Sequence, residues 1–420
     1  MWRVCRIDDL GEINRGKSKH RPRNDARLFG GKYPFIQTGD VKKANLYINE
    51  YNTTYSEFGL AQSKLWPKDT LCITIAANIA ESAILGIDAC FPDSVVGFVP
   101  KKNKADLKFV KYLLDEFKVY MQQISKGTTQ DNLSLDKLRR VKFYAPDYDT
   151  QVKIAKVISV YDDLIENNNK RIKILEQMAE NLYKEWFICF RFPGYESSSF
   201  VASSIGRIPE GFSVLKMQDV INYHIGGGWG SDVRDKNFEC EAFVIRGTDF
   251  PYVKEGILST CPRRYHKINN YRTRKLEEGD IILEVSGGTA EQPVGRALLV
   301  TKDTLRRFGR KLICASFCKL VRLKRNIISP YYFIYWMNFL YSTRIIEKFQ
   351  LQSTGIINFK FEYFFKKGDI LLPPVDLMHI FVGKIKTIKA QIDKLAEVNE
   401  NLTKQRDMLL PRLMSGKLEV

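Results

Sequence analysis

Apolar residues recur at alternating steps of three and four positions between Ile158 and Trp186. This heptad pattern predicts one long helix with a narrow apolar seam. No proline or glycine falls between Pro146 and Pro193, so nothing in the sequence interrupts the helix. A seam this narrow requires a partner helix rather than a globular core. The seam positions are Ile158, Tyr161, Ile165, Asn168, Ile172, Leu175, Ala179, Leu182 and Trp186.

A second seam of the same spacing runs near the end of the sequence, each position 227 residues after its counterpart in the first. The two helices are therefore predicted to pack as an intramolecular antiparallel coiled coil. In that register Asn168 meets Asn399, and one buried polar layer would fix the alignment. The alternative is two unrelated amphipathic helices on separate cores. The second seam consists of Ile385, Ile388, Ile392, Leu395, Asn399, Leu402, Arg406 and Leu409.

The two halves of the chain also repeat outside the helices. FIQTGD at 35–40 returns as VIRGTD at 244–249, and KGTTQDNLS at 126–134 returns as QSTGIINFK at 352–360. The first hexapeptide closes a predicted strand at Tyr33–Thr38. An amphipathic helix predicted over 107–124 corresponds to another predicted over 330–349. This arrangement is typical of a tandem duplication in which each copy has a globular part and a helix.

The predicted fold class is mixed α+β: two α/β domains separated by two long antiparallel coiled-coil helices with pseudo-twofold symmetry. We expect the domains at opposite ends of a spine about 50 Å long, because a helix rises about 1.5 Å per residue. That length corresponds to roughly 15 base pairs of duplex. The predicted segments are a first domain at 1–150, a helix at 151–187, a flexible linker at 188–212, a second domain at 213–375, a helix at 376–412 and a tail at 413–420.

The net charge of +18 points to a polyanionic partner. Residues 152–187 carry six basic and six acidic side chains, and residues 380–414 carry seven and four. Most of the excess positive charge therefore lies outside the helices, in the globular parts. This distribution favours nucleic-acid binding over a general solubility effect.

The sequence gives little support for catalysis or for a metal. Its eight cysteines are scattered and no two of its four histidines are close, so we expect no metal site and free thiols in a reducing cytoplasm. No apolar run reaches transmembrane length. GEINRGKS at 11–18 matches the P-loop pattern, but polar residues precede it and Pro22 follows it, so a basic loop is the better interpretation. No methyltransferase, hydrolase or nuclease motif was identified.

Several segments resemble the specificity (S) subunits of type I restriction–modification systems, which are HsdS-like proteins. ENNNKRIKILEQMAENLYKEWF at 166–187 with FRFPG at 190–194 resembles their central conserved region, and the segment 399–420 resembles their C-terminal conserved region. LGEINRGKS, YPFIQTGDV and ITIAANI are similar to one target-recognition domain of the family. IGGGWG, VIRGTD and EVSGG are similar to another.

The resemblance implies a non-catalytic DNA-binding subunit. Each target-recognition domain would bind one half of a split duplex DNA sequence, and the helices would dock two methyltransferase (M) subunits. The M subunits would bring S-adenosylmethionine, and restriction-motor (R) subunits would bring ATP hydrolysis with Mg and DNA cleavage. The assembled complex would be an adenine methyltransferase and ATP-dependent endonuclease. A two-headed coiled-coil scaffold that binds RNA or protein partners remains the alternative.

We expect the DNA-contacting residues to lie in the polar loops, since arginine and lysine suit guanine edges or phosphates and glutamine and asparagine suit adenine. In the first domain they are Arg15, Lys17, Lys19, Arg21, Gln37, Thr38, Asn78, Thr128, Thr129 and Gln130. In the second domain they are Trp229, Arg246, Thr248, Ser286, Gln352, Ser353 and Thr354.

Overall fold

The structure is a computed structural model that describes residues 2–126, 132–254, 260–289, 292–309, 311–353 and 356–420, with the backbone alone at Gln352 and Ser353. Its fold is mixed α+β. Contacts divide it into two compact units: residues 2–168 with 399–420, and residues 169–398. Both unit boundaries fall inside long helices, at Asn168 and at Asn399. The boundaries predicted above for the two domains, two helices, linker and tail stay predictions.

The first unit is built around two sheets. The five-stranded sheet has the order Gly11–Arg15, Val95–Pro100, Leu71–Thr74, Ser82–Leu85, Tyr47–Ile48. The four-stranded sheet has the order Thr53–Tyr55, Phe29–Phe35, Ala89–Cys90, Leu65–Trp66. Arg3–Cys5 pairs with Phe143–Ala145 in a separate two-stranded sheet. The helices besides the long one are Ile7–Leu10, Thr38–Lys43, Glu57–Ala61, Leu107–Glu116, Lys118–Ser125 and Leu135–Arg140, with a 3-10 turn at Ala26–Leu28.

The second unit repeats this plan with changes. Its four-stranded sheet has the order Ile221–Gly226, Cys318–Leu323, Ile281–Glu284, Ala297–Leu299, and a three-stranded sheet has the order Arg263–His266, Cys240–Ile245, Leu312–Cys314. A second three-stranded sheet has the order Ser286–Gly288, Ile356–Phe359, Gln350–Ser353. A two-stranded sheet pairs Ser213–Lys216 with Asp369–Leu372. Helices lie at Met217–Val220, Phe250–Lys254, Ile268–Arg274, Lys302–Arg307, Pro330–Ser342 and Phe361–Lys367. Shorter turns are the 3-10 helices Tyr195–Ser197, Gly247–Asp249 and Ile345–Phe349 and the π-helix Lys184–Ile188.

The two long helices are continuous over Tyr148–Tyr183 and Val375–Met414. All the predicted seam residues are buried or half-buried. In the first unit Asn168 Nδ2 donates to Asn399 Oδ1 at 2.9 Å, which matches the predicted register. In the second unit Ile172 packs in one buried cluster with Ile392 and Leu395. Within each unit, the paired segments therefore run antiparallel.

Three predicted elements differ from the structure. The strand predicted at Tyr33–Thr38 ends at Phe35, because the N–H of Gln37 donates to the Asp40 carboxylate at 2.8 Å and Thr38 begins a helix. The helix predicted over 107–124 is divided at Phe117 into two helices. The helix predicted over 330–349 ends at Ser342 and is followed by a 3-10 turn.

The stretch 188–212, predicted from its serines and glycines to be a flexible linker, contains regular structure. Phe200–Ser203 pairs with Gly206–Pro209 as an antiparallel hairpin. Phe190 packs edge-on against both Phe200 and Phe212, at centroid distances of 5.7 and 5.8 Å. Ile208 and Phe212 are also buried in the main core cluster of the second unit, which joins the hairpin to that core. Composition alone did not reveal these contacts, because the aromatic residues are spread among the polar ones.

Candidate nucleic-acid interface

The basic loop of the first domain begins at a glycine that the fold requires. The N–H of Gly16 donates to the carbonyl of Val95 at 2.9 Å, and a Cβ at Gly16 would lie 2.3 Å from the carbonyl oxygen of Pro92. The residues before it, Gly11–Arg15, form a strand, and no helix follows at Ser18. This described segment therefore lacks the strand–loop–helix order of a P-loop.

The basic side chains of this loop fall into two groups. Arg15, Lys17 and Lys19 are exposed, which suits contact with phosphates or base edges. Arg21 is also exposed, but its Nη1 donates to the carbonyl of Ser18 at 2.7 Å. Part of its hydrogen-bonding capacity therefore holds the loop together, a role that residue type alone did not indicate.

The turn that carries Asn78 has an unusual backbone. Ala77, Asn78 and Ala80 have φ values of +48°, +49° and +63°, a left-handed conformation that costs non-glycine residues free energy. The buried Thr74 hydroxyl donates to the carbonyl of Asn78 and accepts from a backbone N–H further along the turn. The Asn78 side chain is exposed and accepts from Lys42 Nζ at 3.2 Å. The fold thus presents Asn78 on a turn held from below.

The structure brings this turn beside the helix that Gln37 and Thr38 begin. Lys42, which contacts Asn78, lies on the helix Thr38–Lys43. Gln37 is exposed and Thr38 is half-buried. Three candidates from distant parts of the sequence therefore share one surface. The further candidates of this domain, Thr128, Thr129 and Gln130, lie outside the described residues.

The glycine-rich loop of the second domain is anchored in the same way as the first. The N–H of Gly227 donates to the carbonyl of Cys318 at 2.9 Å, and a Cβ at Gly227 would lie 2.1 Å from the carbonyl oxygen of Ala315. Trp229 follows on this loop with 39% of its surface exposed. The Trp229 side chain is therefore at the surface.

Arg246, predicted to contact DNA, forms an ion pair with Asp249 inside the domain. Its Nε and Nη2 each donate to the Asp249 carboxylate at 2.9 Å, and Nη2 also donates to the carbonyl of Thr260 at 2.7 Å. The hydrogen bond to Asp249 raises the pKa of Arg246. Asp249 is 1% exposed, so the pair stabilises the turn. Thr248, between them, is exposed and remains available to a ligand.

The remaining candidates of the second domain meet on a small sheet. Ser286 is half-buried, and its hydroxyl donates to Asn358 Oδ1 at 2.7 Å. The strand Ile356–Phe359 lies between Ser286–Gly288 and Gln350–Ser353, so the backbones of Gln352 and Ser353 are close to this pair. Thr354 lies outside the described residues.

The described part of the chain has neither a cluster of metal-binding side chains nor a disulfide. It contains no group of three or more His, Cys, Asp or Glu side chains that could hold a metal ion. All eight cysteines are free. None of the described helices is long and apolar enough to cross a membrane.

Comparison with known proteins shows which proteins this chain is similar to. The profile of the type I restriction modification DNA specificity domain matches residues 1–177. The chain is 26% identical to the MjaIX specificity subunit of Methanocaldococcus jannaschii, across 100% of this chain and 94% of that protein. It is 24% identical to the HindI specificity subunit of Haemophilus influenzae, across 97% and 98% respectively. The chain is therefore similar to type I specificity subunits over nearly its whole length.

A solved structure shows the same fold. The S subunit of a type I restriction–modification system from M. genitalium matches with a TM-score of 0.54 at 14% identity, over 98% of this chain and 96% of that one. At this level of identity the likeness carries the fold of the specificity subunit and not the identity of its contact residues.

Sequence reasoning missed buried polar residues that support these loops from the protein interior. Thr74 ends a central strand of the first domain, and Glu284 ends the corresponding strand of the second. Glu284 is 5% exposed and accepts from Arg296 at 2.6 and 2.9 Å. A Cβ at Gly247 would lie 2.3 Å from Glu284 Oε1, so this pair packs under the Thr248 turn. The available signal was a polar residue closing an otherwise apolar strand.

Proposed function

We propose that this chain is the DNA-sequence-specificity subunit of a type I restriction–modification complex and that each of its two domains recognises one half of a bipartite duplex site. The similarity to type I specificity subunits over nearly the full length of the chain supports this function. The net charge of +18, concentrated outside the helices, supports binding to duplex DNA.

One observation carries the proposal of two different half-sites. The N–H of Gly16 and the N–H of Gly227 make the same 2.9 Å bond to a neighbouring strand, so the two loops begin at equivalent places in the fold. The first loop then presents exposed lysines such as Lys17, whereas the second presents Trp229. Equivalent loops with different chemistry suit recognition of two unlike sequences.

The partners and cofactors follow from the proposed complex. We propose that the helices Tyr148–Tyr183 and Val375–Met414 act as spacer and as docking platform for two methyltransferase subunits, which bring S-adenosylmethionine. Motor-nuclease subunits would join through the complex and bring ATP and Mg. The chain itself would contribute no catalytic residue, and its predicted cytoplasmic location suits a DNA-modifying complex.

The alternative of an RNA-binding scaffold is not favoured. Single-stranded RNA recognition uses exposed aromatic side chains on a sheet. The richest aromatic stretch of this chain, at 331–341, lies instead on a helix whose Tyr332, Phe333 and Trp336 are buried in the core of the second unit.

Methylome sequencing tests the proposal directly. The chain is expressed with its cognate M subunit in a host that lacks DNA methylation, and methylated adenines are mapped. We expect a split motif with two defined halves and an undefined gap. Exchange of residues 1–150 for the corresponding domain of another specificity subunit should change one half only. A complex that assembles and methylates without any split motif would contradict the proposed function.

A further inference from the structure

The loop at 226–232 is fixed to the second domain at both ends. Near its start the N–H of Gly227 donates to the carbonyl of Cys318. At its end the N–H of Ser231 donates to the carbonyl of Tyr265 at 2.8 Å, and the N–H of Tyr265 returns a bond of 2.9 Å to Ser231. Gly230 has φ +72°, and a Cβ there would lie 2.4 Å from the Tyr265 carbonyl oxygen. The loop therefore has little freedom to move as a whole.

Arg264 holds this loop from inside. Only 8% of its surface is exposed. Its Nε donates to the carbonyl of Trp229 at 3.1 Å, Nη2 is 3.4 Å from the carbonyl of Gly230, and Nη1 contacts the Asp232 carboxylate. Its guanidinium carbon lies 4.6 Å from the centroid of the Trp229 ring. One planar cation thus fixes both the backbone and the side chain of Trp229.

The position of Trp229 is unexpected for a residue with no binding role. Tryptophan gains free energy by burial, yet 39% of Trp229 remains exposed on a loop made rigid by Arg264. A rigid exposed aromatic ring suits an apolar contact with a base in duplex DNA, because little conformational freedom is lost on binding.

We propose that Trp229 makes a base contact within the half-site read by the second domain, and that Arg264 is the positioning residue that holds the indole for this contact. The inference rests on the proposed function and adds to it a specificity-determining pair. Arg264 acts through Trp229 and does not itself reach the DNA, since it is buried beneath the loop.

The test measures half-site preference rather than affinity alone. The full chain, assembled with its M subunits, is titrated with three duplexes: the motif found by methylome sequencing, the same duplex with the second-domain half replaced, and the same duplex with the first-domain half replaced. For the wild type, each wrong base pair should weaken binding by about fivefold to a hundredfold.

For Trp229→Ala we expect the preference for the second-domain half to fall by about tenfold or more, with the preference for the first-domain half unchanged. Trp229→Phe retains an aromatic face and should retain most of the preference. Arg264→Lys retains the charge, but a single ammonium cannot replace the planar fork that bridges Trp229 and Asp232. It should therefore lose preference in the same half.

Arg263→Ala is the matched control. Arg263 is the adjacent residue on the same strand, its side chain is 67% exposed, and it stacks on Phe243 at 4.9 Å. A phosphate contact there would weaken all three duplexes alike. Trp229→Ala alters an exposed side chain, so it decides the result even if an Arg264 variant fails to fold.

Two outcomes separate the possible failures. A wild-type complex that does not distinguish the three duplexes would overturn the proposed function, and this inference with it. A wild-type complex that distinguishes them, together with a Trp229→Ala variant of unchanged preference in both halves, would overturn this inference alone. The proposed function would then stand.

Discussion

Replacement of Arg406 by alanine should weaken the first unit substantially. Arg406 occupies a seam position of the C-terminal helix, and its Nη1 donates to Asp162 Oδ1 at 2.6 Å. Asp162 is 4% exposed and also accepts from the Tyr112 hydroxyl at 2.5 Å. Burial disfavours the charged form of Arg406, but the bond to Asp162 outweighs this effect, and the pKa of Arg406 is raised. Arg406→Ala would leave a buried carboxylate without its cation.

The expected cost follows from the burial of the pair. Removing one partner of a buried ion pair costs about 3–5 kcal/mol. Two features reduce this figure: the Tyr112 bond to Asp162 remains, and the Arg406 side chain is 24% exposed. We therefore expect about 2–4 kcal/mol. Where local opening controls hydrogen exchange, this loss corresponds to roughly 30- to 700-fold faster exchange, at about 1.4 kcal/mol for each factor of ten.

Hydrogen exchange measured by mass spectrometry on the full chain tests this expectation. Peptides from 148–168 and 399–414 should lose protection, while peptides from the second domain serve as an internal reference. Lys404→Ala is the matched control, because Lys404 is on the same helix and forms an exposed pair with Glu400. Equal exchange rates in the two variants would refute the reasoning.

A second substitution tests the cause of the effect. Asp162→Asn removes the buried negative charge but retains an acceptor for the Tyr112 hydroxyl. In the Arg406→Ala background it should restore much of the lost protection, because a buried amide costs far less free energy than an unpaired buried carboxylate. If protection falls further instead, lost packing of the Arg406 side chain explains the effect and the unpaired charge does not.

Three other predictions concern the loops. Gly227→Ala should destabilise the second domain by about 1–3 kcal/mol, whereas Gly226→Ala, with open space around its Cβ, should have little effect in thermal unfolding. Burial, and secondarily the charges of nearby arginines, lowers the pKa of His266. The contribution of His266 to stability is therefore present above pH 6.5 and is lost as the pH falls through its folded-state pKa. His266→Gln should flatten the fall in unfolding temperature below pH 6.5. Lys17→Ala should weaken binding to all duplexes alike and lower the slope of the logarithm of the binding constant against the logarithm of salt concentration by about one. Asn78→Ala should instead relax the preference for the half-site read by the first domain. The reverse pattern would exchange the roles assigned to the two residues.

The sequence was most informative about the helices, because a heptad is a local pattern. It predicted both long helices and the antiparallel register that brings Asn168 to Asn399. It also left Arg406 as an unexplained charge in an apolar seam. The partner of Arg406 is Asp162, which lies beside the seam rather than in it. Only the packed helices bring the two together.

The sequence was less informative about the loops, because residue type does not reveal which partners a side chain already has. Arg246 has the chemistry of a guanine-reading residue, yet two of its nitrogens bind the buried Asp249. Arg264 was not singled out at all, although it organises the Trp229 loop. In both cases the deciding contact joins residues that the strands bring together only in the folded domain.

The two anchoring glycines suggest how one fold could serve the two recognition tasks proposed above. A side chain at Gly16 or Gly227 would collide with backbone, so the start of each loop is fixed by close packing against the neighbouring chain. Beyond the anchor the loops diverge: a basic loop follows Gly16, and a loop built around Trp229 and Arg264 follows Gly227. Chemistry can change there without disturbing either core, because the side chains beyond the anchor are largely at the surface. On this reasoning, the loop after the anchoring glycine is the segment in which a change of sequence preference costs the least stability.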